Sequence, residues 1–254
     1  MTDKGVEILN CDCIQAMNSK IVHGSVDCVI TSPPYNVNLG NNKFKKDGYA
    51  SYSDNLDYPD YLEWMKNVFL GCYNVLKEDG RICVNIGDGK NGNIPTHSDF
   101  IQILMGIGFK PITTIIWNKK TTSNRCAWGS WMSASCPSFP MQHEYILCLG
   151  KTLKKSSKGT STISREDFIK WTNPIWEFKT ETKMKQIGHP AMFPIELPHR
   201  CIQMFTYEND LVLDPFMGSG TTGVACIKSN RRFIGCEIEE KYCEIARKRF
   251  KEIG

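Results

Sequence analysis

The sequence has no long apolar segment. Its 254 residues contain no run of about eighteen uncharged apolar residues, which is the length that a membrane-spanning helix needs. The first residues, Met1 to Gly5, also lack the apolar core of a secretory signal peptide. We therefore expect a soluble, cytoplasmic protein with no membrane partner.

The sequence also lacks the cysteine patterns of metal and disulfide sites, although it contains 12 cysteines. The one close pair, Cys11 and Cys13, has a spacing that fits neither a zinc knuckle nor a redox pair. Other cysteines, such as Cys28 and Cys148, lie in apolar runs. This distribution favours reduced, buried thiols, and we predict no metal site.

Charge is small in total but uneven along the chain. The formal net charge is +4, whereas the segment from Lys110 to Gln186 holds thirteen Lys or Arg against five Asp or Glu. A basic face of this kind suits contact with nucleic-acid phosphates, because neutralising the backbone supplies much of the affinity for a duplex. A solvated lysine-rich loop would give the same composition, and both interpretations stay open at this point.

Two prolines follow an apolar run in the tetrapeptide Ser32-Pro33-Pro34-Tyr35. The run, Val26 to Ile30, is typical of a buried parallel strand. The prolines fix two φ angles and remove two backbone donors, so carbonyl oxygens are left free to accept hydrogen bonds. The segment therefore presents acceptors and an aromatic ring at the end of a strand.

A glycine-rich turn lies near the other end of the chain. The apolar run Leu211 to Leu213 leads into Asp214-Pro215-Phe216-Met217-Gly218-Ser219-Gly220, and a helical pattern follows from Thr221 to Ser229. Strand, glycine turn and helix in this order are typical of a nucleotide-type cofactor cradle. Glu237 ends the next predicted strand about twenty residues later, where an acidic residue binds ribose hydroxyls.

Apolar periodicity predicts alternating strands and helices, and hence an α/β fold with a doubly wound, mostly parallel sheet. No internal repeat interrupts the alternation. The strands are predicted at Val6–Leu9, Val26–Ile30, Arg81–Ile86, Thr113–Trp117, Glu144–Leu149, Asp210–Leu213 and Arg232–Cys236. The helices are predicted from about Ile14, and at Tyr61–Leu76, Phe100–Ile107, Pro194–Tyr207, Thr221–Ser229 and Glu239–Phe250.

One domain with an insertion accounts for the departures from this alternation. Residues 1–150 form its first part and residues 188–254 its cofactor-binding part. Residues 151–187, rich in Lys, Ser and Thr, are the predicted insertion. The aperiodic residues Asn36 to Asp60 directly follow the proline motif, which makes them a candidate lid.

The two motifs together resemble those of the amino-methylating DNA methyltransferases, and the resemblance covers almost the whole chain. In that family an Asp/Ser/Asn-Pro-Pro-Tyr/Phe motif holds the target base, and a Phe-x-Gly-x-Gly motif holds S-adenosylmethionine. Here the catalytic motif precedes the glycine loop, which resembles the permuted order of the beta class. The resemblance implies a Rossmann-like methyltransferase fold, with residues 151–187 as a small target-recognition region.

The resemblance also implies two sets of site residues. The expected catalytic residues are Ser32, Pro33, Pro34 and Tyr35, and the expected cofactor-binding residues are Asp12, Phe193, Asp214, Phe216, Gly218, Gly220, Thr221 and Glu237. Ser32 and the Pro33 carbonyl would accept the amino hydrogens of a flipped base, and Tyr35 would stack on it. In the cofactor, the adenine amino group would donate to Asp12, the methionine amino group would meet Asp214, and Phe193 would lie against the methionine end.

Several functional alternatives remain at this point. The serine of the tetrapeptide resembles the cytosine-N4 subgroup, and an adenine-N6 enzyme is the first alternative. A catalytically idle DNA-recognition subunit is the second, and an RNA methyltransferase is disfavoured because no RNA-binding module is evident. The expected partners are double-stranded DNA and a cognate restriction endonuclease of the same system without stable binding, and the protein is expected to be a monomer or homodimer.

The DNA-facing surface is predicted to comprise Lys151 to Lys185 and the loop Lys119 to Arg125. Lys154, Lys155 and Lys158 are its expected phosphate contacts. If they do not contact DNA, the surface should lie in Asn38 to Lys46 or in Asn118 to Trp131.

Overall fold

The computed structural model describes residues 5–36, 56–89, 92–120, 129–180 and 193–253. Within these ranges the strands are β1 (Val6–Asn10), β2 (Val26–Thr31), β3 (Leu76–Ile86), β4 (Lys110–Asn118), β5 (His143–Gly150), β6 (Ile175–Glu177), β7 (Leu211–Asp214) and β8 (Arg232–Glu237). The helices are α1 (Cys13–Ser19), α2 (Tyr58–Val75), α3 (Thr96–Ile107), α4 (Arg165–Trp171), α5 (Glu196–Phe205), α6 (Thr221–Lys228) and α7 (Glu240–Ile253).

The strands form one sheet in the order β1-β8-β7-β2-β3-β5-β4-β6. Of the described strands, only β5 runs against its neighbours, pairing antiparallel with both β3 and β4, while the other pairings are parallel. This architecture confirms the doubly wound, mostly parallel α/β fold that the sequence predicts.

Helices cover both faces of the sheet and divide the core into two layers. On one face α1, α2 and α3 bury residues such as Met17, Phe69 and Phe100. On the other face α4 to α7 bury residues such as Trp171 and Cys201. Because both faces are covered, strands can be apolar throughout, which explains the continuous apolar runs in the sequence.

The central strand β2 is buried along its whole length, including its one charged residue. Asp27 accepts hydrogen bonds from Lys77 Nζ at 2.6 Å and from the backbone N–H of Leu211 at 2.8 Å. A buried carboxylate is tolerated only when it is paired in this way. Asp27 therefore ties β2 to the starts of both neighbouring strands, β3 and β7.

Two parts of the chain differ from the predicted elements. Helix α2 ends at Val75 and β3 begins at Leu76, whereas the sequence predicted a helix to Leu76 and a strand only from Arg81. A register shift between Val26 and Cys28 of β2 accommodates the extra residues of β3. The other is the predicted insertion, which contains α4 and β6, neither of them predicted; β6 pairs with β4 and brings part of the insertion into the same sheet.

The parallel strands define two ends of the sheet. At the carboxyl end, where they finish, lie Thr31, Ile86, Asn118, Asp214 and Glu237. The order of the strands reverses between β2, which leads through α2 to β3, and β7, which leads through α6 to β8. Ligands of doubly wound sheets bind at such a switch point, outside the carboxyl ends of the strands.

The first part of the predicted insertion lies at the opposite, amino end. The carboxylate of Asp79 at the start of β3 accepts from the backbone N–H groups of Ser156 and Ser157, at 2.9 and 2.6 Å. Lys155 forms an ion pair with Asp210, directly before β7. This placement does not support a DNA-facing role for Lys154 to Lys158 beside the proline motif. In the described part of the chain, no helix is long and apolar enough to cross a membrane.

Candidate active site

The proline motif leaves β2 at the carboxyl end of the sheet, beside the switch point. Tyr61 of α2 donates its hydroxyl hydrogen to the Pro34 carbonyl at 2.7 Å and so fixes the turn. Among the residues that the structure describes, none donates to the Pro33 carbonyl.

The ends of the segment that follows the motif are tied together. The side chain of Asn36 donates to the Leu56 carbonyl at 2.8 Å and accepts from the Leu56 N–H at 2.9 Å. Of the predicted lid, Asn36 to Asp60, residues 37–55 lie outside the described residues, and its last residues, from Tyr58, already belong to α2.

A polar cluster surrounds the hydroxyl of Tyr35. That hydroxyl donates to Glu144 Oε2 at 3.0 Å and accepts from Ser32 Oγ at 3.2 Å and from Asn85 Nδ2 at 2.8 Å. Asn85 also donates to Glu144 Oε2 at 2.7 Å, and Lys119 pairs with the other oxygen of Glu144. The cluster thus joins the ends of β2, β3 and β4 to the start of β5.

Burial and charge both act on the tyrosine of this cluster. Burial, followed by the negative charge of Glu144, raises the pKa of Tyr35 well above its ordinary value. A Cβ on Gly87 would lie 3.3 Å from Glu144 Cγ and 3.4 Å from Tyr35 Cε2, so glycine permits the close approach of these two side chains. Because its pKa is raised, the hydroxyl of Tyr35 stays protonated and donates to Glu144.

The glycine loop has the backbone conformation that its sequence indicates. Gly218 and Gly220 have φ angles of +53° and +82°, which residues with a side chain rarely adopt. A Cβ on Gly220 would also lie 2.7 Å from Phe250 and 2.8 Å from Ala246. Gly220 is thus required for the packing of α7 as well as for the turn before α6.

Asp214 is engaged inside the protein, being only 1% exposed. It accepts from Thr31 Oγ1 at 2.8 Å, from Thr222 Oγ1 at 2.6 Å and from the N–H of Phe216 at 3.1 Å. Burial raises its pKa to about 6, against the effect of these three donors. The carboxylate links the ends of β2 and β7, and its predicted contact with the methionine amino group would have to be made beside these donors.

Glu237 reaches the glycine loop from the end of β8. Its Oε2 accepts from the Gly218 N–H at 3.0 Å, and its Oε1 accepts from the Glu239 N–H at 2.8 Å. Burial raises the pKa of Glu237 above its ordinary value. The carboxylate is therefore held beside the loop that is expected to bind the cofactor.

Asp12 follows β1 at the same end of the sheet, two residues after Asn10, which lies opposite Glu237 where β1 pairs with β8. The family resemblance implies that the first strand lies beside the strand that carries Glu237, and the structure has this pairing. The Asp12 side chain caps α1 by accepting from the Gln15 N–H at 2.9 Å. Its role toward an adenine amino group stays a prediction.

The remaining expected cofactor residues lie around the same end of the sheet. Phe216 packs edge-on against Trp64 of α2, with ring centroids 5.6 Å apart. Thr221 begins α6, and its hydroxyl accepts from Arg249 at 3.2 Å. Phe193 is half-buried against the core on the α4–α7 face, and the preceding residues 188–192 lie outside the described part of the chain.

Sequence reasoning did not identify Glu144, Lys119 or Trp64 as site residues. A signal for Glu144 was present, because a carboxylate stands at the head of a strand that is otherwise apolar. The structure also places Asn85 in the cluster, where the residue is 1% exposed and its Oδ1 has no partner among the described residues. Partners across β3 and β5 cannot be found before the strand order is known.

Comparison with known proteins places these features in a family context. A family model described as DNA methylase, of the N6/N4 type, matches residues 26–248. The type II methyltransferase M.MjaVI of Methanocaldococcus jannaschii is 41% identical over 182 residues, which cover 70% of this chain and 88% of that protein.

Solved structures have the same fold. A protein of Thermus thermophilus described as a candidate DNA modification methylase, solved with S-adenosyl-L-methionine, is 26% identical and superposes with a TM-score of 0.73 over 97% of this chain and 93% of that one. The PvuII DNA methyltransferase, whose description is cytosine-N4-specific, is 21% identical, with a TM-score of 0.71 over 97% of this chain and 86% of that one.

Proposed function

Because the chain belongs to the DNA methylase family of the N6/N4 type, whose cofactor is S-adenosylmethionine, we propose that it methylates the N4 amino group of a flipped cytosine in duplex DNA. The observation that carries the proposal is the pair of acceptors at the end of β2. Ser32 Oγ directs its hydrogen toward Tyr35, and the Pro33 carbonyl has no donor among the described residues.

The residues at the carboxyl end of the sheet fit the cofactor. The left-handed glycines Gly218 and Gly220 let the backbone turn closely before α6, whose N-terminus favours a negative group such as the methionine carboxylate. The carboxylate of Glu237 suits the ribose hydroxyls. When bound, S-adenosylmethionine supplies a methyl group on a positively charged sulfur.

The acceptor pair makes the amino nitrogen of the target base a better nucleophile. The lone pair of an exocyclic amino group is delocalised into the base, so the nitrogen is a poor nucleophile. If Ser32 Oγ and the Pro33 carbonyl each accept one N–H, the nitrogen is drawn toward tetrahedral geometry and its lone pair becomes available. This arrangement cannot form inside a stacked duplex, so the base must be flipped out.

The ring of Tyr35 is the proposed stacking surface for the flipped base. Stacking on an aromatic side chain contributes about 1–3 kcal/mol per base, which is comparable to the cost of unstacking. The hydroxyl is held by Glu144 and Asn85, so the ring has a fixed orientation before the base arrives.

Cytosine-N4 is preferred over adenine-N6 because serine, as in this tetrapeptide, resembles the cytosine-N4 subgroup. Both bases offer an amino group with two hydrogens, so the same acceptors serve either. The test is to express the protein in a host without DNA methylation, digest the DNA to nucleosides and identify the methylated one by mass spectrometry. We expect N4-methylcytosine; N6-methyladenine would contradict the choice of base, and unmethylated DNA with a folded protein would favour an idle recognition subunit.

DNA is proposed to lie across the carboxyl end of the sheet. The exposed side chains of Lys120 and Lys179 stand at this end, directly after β4 and close to the end of β6. Of the predicted segment 151–187 and the alternative segment Asn118 to Trp131, the described residues at this end, such as Lys120 and Lys179, are accordingly proposed to contact DNA. A cognate endonuclease and the oligomeric state stay predictions.

A further inference from the structure

A serine hydroxyl is an ambiguous partner for an amino group. It carries one hydrogen and two lone pairs, and its hydrogen rotates to suit its neighbours. To assist methyl transfer, the serine oxygen must accept a hydrogen bond from the amino group of the base. Ser32 therefore needs a neighbour that takes its hydrogen and keeps it turned away from the base.

The cluster around Tyr35 fixes the direction of every hydrogen bond. An ionised Glu144 can only accept, so the hydrogen of the Tyr35 hydroxyl, 3.0 Å away, must point at the carboxylate. The Tyr35 oxygen can then only accept from Ser32 Oγ at 3.2 Å. The hydroxyl hydrogen of Ser32 therefore points at Tyr35, and the lone pairs of Ser32 Oγ can accept a hydrogen bond from the substrate.

Two neighbours hold Glu144 in this role. Lys119 forms an ion pair with its second oxygen and so holds the carboxylate in place. Asn85 turns its amide nitrogen toward Glu144 and Tyr35, at 2.7 and 2.8 Å, and its contact with Ser32 Oγ is longer, at 3.4 Å. Because the contact from Asn85 is weak, Ser32 Oγ can still accept a hydrogen bond from the target amino group.

We infer that Glu144 is a positioning residue that makes Ser32 an obligate hydrogen-bond acceptor for the target amino group, acting through the hydroxyl of Tyr35. The inference rests on the proposed role of Ser32 as an acceptor and holds for either base. It assigns Tyr35 two separable tasks, because the ring serves the flipped base and the hydroxyl serves Ser32. Hydrogen bonds in such a chain polarise one another, so the carboxylate also strengthens the serine as an acceptor.

Two substitutions interrupt the chain at different points. Tyr35→Phe removes the hydroxyl and keeps the ring, and Glu144→Gln removes the charge and keeps the size of the side chain. Glu63→Gln is the matched control, since it breaks an exposed ion pair with Lys66 on α2. Thermal unfolding and calorimetric binding of S-adenosylmethionine without DNA confirm that each variant is folded. If Glu144→Gln does not fold, Tyr35→Phe still tests the chain.

The decisive measurement is the single-turnover rate of methyl transfer at saturating DNA and cofactor. We expect Tyr35→Phe and Glu144→Gln each to lower this rate about tenfold or more, because the lost hydrogen bonds involve a charged group. The double variant should be no slower than the slower single variant, because both interrupt one chain. Base flipping, followed with a fluorescent analogue at the target, should remain close to that of the unchanged protein, as should the affinities for DNA and cofactor.

Unchanged single-turnover rates in a folded Tyr35→Phe variant would overturn the inference. A double variant slowed by the product of the two single effects would also overturn it, since the two residues would then act independently. A loss that appears in cofactor affinity and thermal stability, rather than in the rate, would assign the cluster a structural role only. The methylated nucleoside is identified in the same reactions, so an adenine-N6 product would contradict the proposed base while the rates still decide the role of Glu144.

Discussion

Glu237 shows how a binding carboxylate is prepared before its ligand arrives. Its two oxygens already accept from the backbone N–H groups of Gly218 and Glu239. These bonds fix the carboxylate against the glycine loop, while burial disfavours its charge and raises its pKa. Ribose hydroxyls that donate to the same oxygens would lower this cost, so the ligand and the loop should stabilise one another.

We therefore predict that Glu237→Gln weakens S-adenosylmethionine binding about tenfold, since the lost hydrogen bonds are to a charged acceptor. The measurement is calorimetric titration without DNA. Glu240→Gln is the control, because Glu240 pairs with Arg247 on the exposed side of α7. An unchanged affinity in folded Glu237→Gln protein would exclude a ribose-binding role. Gly220→Val is a poorer test, because its side chain would collide with Phe250 and Ala246 of α7.

At the scale of helices and strands, most of the fold could be predicted from the sequence and some of its junctions could not. Apolar runs gave the buried strands, because their periodicity depends only on local sequence. The junction between α2 and β3 has no loop, and its polar residues Glu78-Asp79-Gly80 belong to the strand through contacts with residues 150–157. Strand β6 has three residues and is visible only once β4 is present to pair with it.

The same limit applies to the candidate site. Ser32, Tyr35, Gly218 and Glu237 could be predicted because each belongs to a motif contiguous with its own strand. Glu144 was not identified, because its hydrogen-bond partners Asn85 and Tyr35 lie 59 and 109 residues away along the chain. A carboxylate at the head of an apolar strand is a local signal, but its partners across an antiparallel strand are known only once the strand order is known.

Asp79 supplies a prediction about one such junction. Burial opposes its ionisation, but hydrogen bonds from Ser157 and Ser156 lower its pKa to about 2. The unfolded value is near 4, so the stabilisation is complete above about pH 4 and is lost as the pH falls through about 2. We predict that Asp79→Asn lowers the free energy of unfolding by about 2 kcal/mol at pH 7 and by much less near pH 2.

Urea unfolding at several pH values between 7 and 2.5 checks this prediction. Glu78→Gln is the control, since the Glu78 side chain is 97% exposed and its change should cost less than about 0.5 kcal/mol. A loss in Asp79→Asn that does not depend on pH would show that shape, and not charge, holds residues 156–157 against β3.

At the scale of the whole molecule, the sheet sorts the basic residues into two groups. Within the described chain, the lysines of the basic segment that lie at the amino end are Lys110, Lys151, Lys154, Lys155 and Lys158. Those at the carboxyl end, beside the candidate site, are Lys119, Lys120 and Lys179. A duplex that delivers a base to Ser32 and Tyr35 must cross the carboxyl end. Lys119 pairs with Glu144, so the exposed Lys120 and Lys179 of the second group should contact phosphates near the target.

Salt dependence of DNA binding separates the two groups. Each lost phosphate contact flattens the slope of log affinity against log salt by about 0.9, so Lys120→Gln/Lys179→Gln should flatten it by up to about 1.8. Lys154→Gln/Lys158→Gln removes the same charge from exposed positions at the amino end and should leave the slope unchanged. Lys155 is left intact because its ion pair with Asp210 is largely buried. Lys120 also forms an ion pair, with Glu177, but both of those side chains are about half exposed. Anisotropy titrations of a labelled duplex over a range of salt concentrations measure both variants; if only the second variant flattens the slope, the DNA-facing surface lies at the amino end of the sheet, and the proposed path of the duplex is wrong.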